Sequence, residues 1–186
     1  MADELGDKPP RIEFERIRSI REKQREKLDK EPSEVLISST VEVNLIKNFH
    51  NEARIRDFVI QGDEPIEAGG SNLAPRPTEY FFAGFGFCMS SFFTHYSVMM
   101  KIPIESLRVR ITGYLDRKTW WALSQESSKY KKIDCTVWIE SKEDEHSVAR
   151  LVREVQLRNP ILGTLKAAVP VSELYYLNGK ALPEQT

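Results

Sequence analysis

The chain predicts an α+β fold in the order β-β-α-β-β-α-β, with one long helix buried at its centre. Three observations carry that expectation. Runs rich in β-branched residues, bounded by turn residues, read as strands. From Tyr80 to Met100 no residue carries a formal charge, which suits a helix surrounded by core. From Glu143 to Leu157, Val148, Leu151, Val152 and Val155 form an apolar stripe at helical spacing.

In chain order, residues 9–31 read as a charged amphipathic helix, with Pro9 and Pro10 in its first turn and Ile12, Phe14, Ile17, Ile20 and Leu28 available to dock it. Residues 1–34 are thus expected as an N-terminal helical extension and 35–186 as the folded body. Val35 to Ile46 reads as a strand and Glu52 to Gln61 as its hairpin partner, joined through Asn48-Phe49-His50-Asn51. Gly62 to Pro77 is a loop punctuated by Gly69-Gly70, Pro75 and Pro77. The uncharged helix follows, from about Thr78 to Met100, and Pro103 turns the chain out of it. Ser106 to Leu115 and Lys132 to Ser141 are strands, the second with Ile133, Cys135, Val137 and Ile139 on one face. Asp116 to Lys131 lies between them and carries Trp120 and Trp121. Asn159-Pro160 ends the amphipathic helix, Leu165 to Leu177 offers a last strand, and Gly179 onward is a tail.

With 186 residues, 40% hydrophobic and 30% charged, the composition is that of one globular domain. The formal net charge of -1 leaves no general basic field, so no nucleic-acid partner is expected. Cys88 and Cys135 are the 2 cysteines, too few for a disulfide framework. Met1 to Glu34 carries scattered charge and no apolar core of a leader, so a reducing, cytoplasmic setting is expected. Tyr80 to Met100 is long enough to cross a bilayer, but it holds Gly84, Gly86, Ser90, Ser91, Thr94, His95, Tyr96 and Ser97; a soluble core helix is expected rather than a membrane span.

Cys88 is the residue with chemical promise. It sits within the apolar helix with Phe81, Phe85 and Phe92 on its side. A greasy setting disfavours the thiolate, so reactivity requires a cationic partner. Arg76, just before the helix, and Arg54 and Arg56 on the second strand are the candidates. His95 shares the face of Cys88 but lies about 10 Å further along the axis, which suits a core or interface histidine better than a thiol partner. His50 and His146 have no metal-ligand spacing with the cysteines, so no metal and no cofactor is expected. Trp120 and Trp121 are able either to fill core or to wall a pocket for a hydrophobic ligand. Gly69-Gly70 is a turn, since no phosphate-loop pattern follows it.

Several pieces in order carry a resemblance. Asp63-Glu64-Pro65, Gly69-Gly70, Pro75-Arg76-Pro77-Thr78-Glu79-Tyr80-Phe81 and Gly86-Phe87-Cys88 match a DEP…GG…P-x-P-x-E-L-L…LG-x-C pattern. Tyr114-Leu115-Asp116 and Tyr130-Lys131-Lys132-Ile133 follow, then Asn159-Pro160-Ile161-Leu162-Gly163-Thr164-Leu165 and Val169-Pro170-Val171. Over roughly residues 35–177 the chain resembles the OsmC/Ohr family, the osmotically inducible and organic hydroperoxide resistance proteins. The resemblance implies an intertwined homodimer with active sites at the subunit interface. It implies a thiol-dependent peroxidase in which Cys88 attacks an organic or hydrophobic hydroperoxide and becomes a sulfenic acid. It also implies an arginine and a glutamate near that cysteine, for which Arg54, Arg56 and Glu79 are the candidates here; Phe81, Phe85 and Phe92 on its helix face, with Trp120 and Trp121, are the side chains expected to line the substrate.

The departures are specific. The family's second cysteine precedes Pro-x-x-x-Thr-Leu, and Asn159 stands there; asparagine cannot resolve a sulfenic acid, so an external thiol is the expected reductant. The peroxidase glutamate lies ten residues before the cysteine, where this chain has Thr78; Glu79 is offset by one residue, about 100° around a helix. Arg54 and Arg56 are expected on opposite faces of their strand, so that only one points inward. Two other readings stand beside the peroxidase. The fold could bind a hydrophobic small molecule at the dimer interface without catalysis, or residues 9–31 could recruit another macromolecule.

Overall fold

The structure, a computed structural model, describes residues 12–31, 36–167, 171, 175–177 and 180–181. The elements run α1 (Phe14–Lys30), β1 (Glu42–Lys47), β2 (His50–Ile55), β3 (Phe58–Gly62), α2 (Pro77–Met100), β4 (Ser106–Tyr114), α3 (Arg117–Trp120), β5 (Lys132–Glu140), α4 (Glu145–Arg158), α5 (Pro160–Lys166), β6 (Tyr176–Leu177) and β7 (Lys180–Ala181). This is an α+β fold built on a long central helix, as the sequence predicts.

The core is α2 against the β4–β5 ribbon on one side and α4 on another. Phe85, Met89 and Phe93 of α2 meet Leu151 and Val155 of α4, with Ile102 and Ile104 closing the end. Fully burying side chains of this size stabilises by about 1.5–3 kcal/mol each. β4 and β5 pair antiparallel from Ser106↔Glu140 to Tyr114↔Lys132, and their inward residues Leu107, Val109, Ile111, Ile133, Val137 and Ile139 pack on that cluster. Cys135 has the period of this inner row, yet it is exposed, opposite Ile111 toward the end where residues 115–131 connect the two strands. α1 lies along α2, and Ile12 just before it packs on the core; the start expected at Pro9-Pro10 lies outside the described residues.

The first sheet departs from the expected hairpin. It is a three-stranded antiparallel meander, β1-β2-β3, because the run Glu52 to Gln61 is broken at Arg56-Asp57. Arg56 takes φ 56 there, a left-handed turn conformation. The expected strand from Val35 begins only at Glu42, since residues 36–41 have no neighbouring strand to pair with; Val35 itself lies outside the described residues. One face of the meander carries Val43, Leu45, Ala53, Ile55, Phe58 and Ile60, and nothing in the described chain covers it: Val43 is 59%, Leu45 67% and Phe58 60% exposed.

Asp63 ties this sheet to α2. Its carboxylate accepts the backbone N–H groups of Glu64 (2.8 Å), Ser71 (3.0 Å) and Leu73 (3.2 Å). The loop can close on it only through the two glycines. Gly69 has φ 91, and a Cβ on Gly70 would lie 1.8 Å from the Glu64 carbonyl oxygen. Tyr80 in the first turn of α2 donates its hydroxyl to the Gln61 carbonyl of β3 (2.7 Å).

The C-terminal part also differs from expectation. Asn159-Pro160 ends α4 but starts α5, with proline at the first helical position where its missing N–H costs nothing. In place of a strand from Leu165, the described residues show a two-residue ladder of β6 with β7, so Lys180 and Ala181 belong to a ladder and not to a tail. Much of the segment between α5 and β6, including Val169-Pro170 of the matched motif, lies outside the described residues.

Candidate functional site

Cys88 stands midway along α2, half-buried. Its neighbours along the helix are unequal. Phe85, one turn back, is 2% exposed and belongs to the core, whereas Phe87 is 71% exposed and faces away from it. Phe92 is half-buried and tilted against Tyr96. Phe81 stacks with Tyr130 of the β4–β5 connection at a ring separation of 6.4 Å, while Phe82 meets Tyr130 edge-on. The aromatic side chains on this stretch of α2 thus divide between the core and the surface.

The hydrogen bond of this thiol comes from across the fold. Cys88 Sγ donates to Asn159 Oδ1 at 3.5 Å, joining α2 to the junction of α4 and α5. Asn159 is 2% exposed. Its Oδ1 also accepts the N–H of Leu162 at 2.9 Å, capping α5. Two donors on one oxygen fix which end of the carboxamide is oxygen. Nδ2 is therefore the remaining end, and it has no hydrogen-bond partner among the described residues. The sequence marks Asn159 only as an absent cysteine; its contact with Cys88 spans 71 residues and has no local signature.

The expected charged partners sit elsewhere within the subunit. Arg76 is the cap residue of α2, about 18 Å along the axis from Cys88. Its guanidinium pairs with Glu64 (3.6 Å) and Glu67 (3.5 Å). Glu79 turns back to accept the Arg76 backbone N–H at 2.8 Å, which caps the helix start. Arg54 lies exposed on β2. Arg56 occupies the turn after β2, its guanidinium over the Phe58 ring at 5.3 Å. The expectation that the two arginines take opposite faces of one strand is not met. Residues two apart in a strand share a face, and Arg56 has left the strand.

Trp120 and Trp121, in and just after α3, are 63% and 68% exposed, so neither fills core in this subunit. Cys135 lies on β5 opposite Ile111, and desolvation pushes its thiol above the ordinary cysteine range. His95 points into a groove of about 440 Å³ between α1 and α2, lined also by Ile17, Arg21, Gln24, Ser91 and Thr94. Desolvation, and then the charge of Arg21, hold this imidazole below its usual pKa. Among the described residues no cluster of three metal-ligand side chains occurs, and no helix is long and apolar enough to cross a membrane.

A family model described as OsmC-like protein matches residues 69–173, over half of the chain. Solved structures share the fold. An OsmC-like protein from Mycoplasma pneumoniae superposes with a TM-score of 0.63 at 17% identity, covering 71% of this chain and 89% of that one. An organic hydroperoxide resistance protein OsmC from Legionella pneumophila gives 0.53 at 19% identity, covering 72% and 92%. An organic hydroperoxide resistance protein from Elizabethkingia anophelis gives 0.56 at 13% identity, covering 73% and 92%. No curated protein matches the chain.

Proposed function

The chain belongs to the OsmC-like protein family, and from that premise we propose that it is a thiol-dependent peroxidase. It reduces organic or hydrophobic hydroperoxides through Cys88, with an external thiol as reductant. The observation that carries this reading is the half-buried Cys88 thiol in contact with Asn159, the position at which the family resemblance puts a second cysteine. Structural neighbours named as organic hydroperoxide resistance proteins support the substrate class. Phe81, Phe87 and the exposed pair Trp120 and Trp121 are the apolar surface such a substrate would meet.

A second copy of the chain completes the site. The uncovered apolar face of the β1–β3 meander supports a homodimer, because a sheet with one bare apolar face is normally covered. The partner's meander is also the source we assign for the missing cation, since Arg54 and Arg56 lie on or beside that sheet and Arg76 is engaged at the far end of α2. Glu79, offset and capping, acts by holding the helix start.

The test is consumption of cumene hydroperoxide by the purified protein with a dithiol. Wild type is expected to turn over, and Cys88→Ser to lose the activity; equal slow consumption by both overturns the reading. One observation favours a second reading, a protein that binds a hydrophobic small molecule without catalysis: the resting thiol donates to an amide oxygen, a contact that a thiolate cannot make. An unreactive Cys88 together with a co-purifying ligand in native mass spectrometry would favour that alternative.

A further inference from the structure

An amide buried with one end spent and the other idle is costly unless something meets the idle end. Asn159 is such an amide. Its Oδ1 holds two donors, the Leu162 N–H and the Cys88 thiol, while Nδ2 of the same planar group has no partner among the described residues. An acceptor standing at the Cys88 sulfur, whose thiol already meets Oδ1 of the same amide, would satisfy it. A thiol offers none of value; an oxygen bound to that sulfur does.

We infer that Asn159 holds the Cys88 sulfenic acid, with Nδ2 donating to the sulfenic oxygen, so that this chain keeps its oxidised cysteine as a sulfenic acid until an external thiol arrives. The inference rests on the peroxidase reading and deepens it. In the first step the sulfur attacks the hydroperoxide: an S–O bond forms and the O–O bond breaks. Sulfur is oxidised by two electrons, the hydroperoxide is reduced to its alcohol, and the thiol proton goes to that alcohol's oxygen. A low-molecular-weight thiol then attacks the sulfenic sulfur, releasing water and leaving a mixed disulfide. A second thiol takes the first away as an external disulfide and restores the Cys88 thiol. Asn159 acts between these steps. Oδ1 orients the thiol before oxidation, and Nδ2 holds the oxygen after it.

Asn159→Asp keeps the planar shape and the capping oxygen while replacing the Nδ2 donors with a charged acceptor. Asn159→Ser also retains a helix-capping hydroxyl and removes the amide without adding charge. The readout is the lifetime of dimedone-trappable sulfenic acid on Cys88 after one equivalent of cumene hydroperoxide, with sulfinic acid followed by intact mass. Both variants are expected to shorten the lifetime by about three- to tenfold, the range of one lost hydrogen bond, and to raise sulfinic acid in proportion. Unchanged lifetimes in folded variants, with wild type forming sulfenic acid normally, overturn this inference and leave the peroxidase standing. No sulfenic acid in wild type overturns both. Asn159→Cys tests the geometry by itself: a disulfide between Cys88 and the new thiol within one subunit is expected after peroxide, and a free pair of thiols overturns the contact.

Discussion

Asp63 is 1% exposed, and three backbone N–H groups converge on its carboxylate. Burial pushes the carboxyl up, but the bonds from Leu73, Glu64 and Ser71, with the charge of His50, outweigh it and hold it below the usual carboxylate range. A carboxyl lowered on folding adds stability above its unfolded pKa of about 3.9 and loses it as pH falls through the folded value. Urea midpoints measured from pH 6 downward are therefore expected to fall in the acid region, and Asp63→Asn to lower them at pH 6 while flattening that fall. An unaltered slope would show that another group carries it. Gly70→Ala is expected to abolish the loop outright, since its Cβ has backbone, not a flexible side chain, in the way. At this scale the motif residues were legible as turn punctuation. Their cause was not, because Ser71 and Leu73 reach Asp63 from 8 and 10 residues away.

Among the elements, those with a continuous internal signal were read best. The uncharged run became α2 and the apolar stripe became α4, each within a few residues of its expected span. Leu151 and Val155 are both 0% exposed where α4 meets α2. Leu151→Ala is expected to cost about 2–5 kcal/mol, measured by chemical denaturation. Elements defined by a partner rather than a pattern were read less well. The early β-branched run yields a strand only from Glu42, the second strand splits at Arg56-Asp57, and α5 hides behind a proline that serves as its first residue. The packing of α1 on α2 brings a pH dependence of its own. His95 there is held below its usual value by desolvation, then by Arg21. Its stability contribution is whole above the unfolded pKa of about 6.5 and is lost as pH falls below it. Thermal midpoints are expected to decline from pH 7 to 5.5 and to decline less in His95→Gln; an identical decline in both would contradict this.

For the whole molecule, the distribution of apolar surface is the informative feature. α2, α4 and the β4–β5 ribbon close a core by themselves, while the meander shows a bare apolar face and α2 leaves Phe81 and Phe87 outside. A second copy covering those surfaces predicts a particle of about twice the 21.5 kDa chain by light scattering. Leu45→Lys, on the bare face, is expected to shift it toward the monomer and to reduce peroxide turnover with it. A wild-type monomer with full activity would contradict that. The family was legible in the order of short motifs, the last of which before the helix midpoint ends on Cys88. The link from that cysteine to Asn159 was not, because only the folded chain brings α2 to the start of α5. The proposed peroxidase stands on oxidation of the Cys88 sulfur by a hydroperoxide. Intact-protein mass spectrometry after one equivalent of cumene hydroperoxide in the presence of dimedone reads that step. One dimedone adduct, mapped to Cys88 and missing in Cys88→Ser, is expected. An unmodified Cys88 with the peroxide left intact would contradict it.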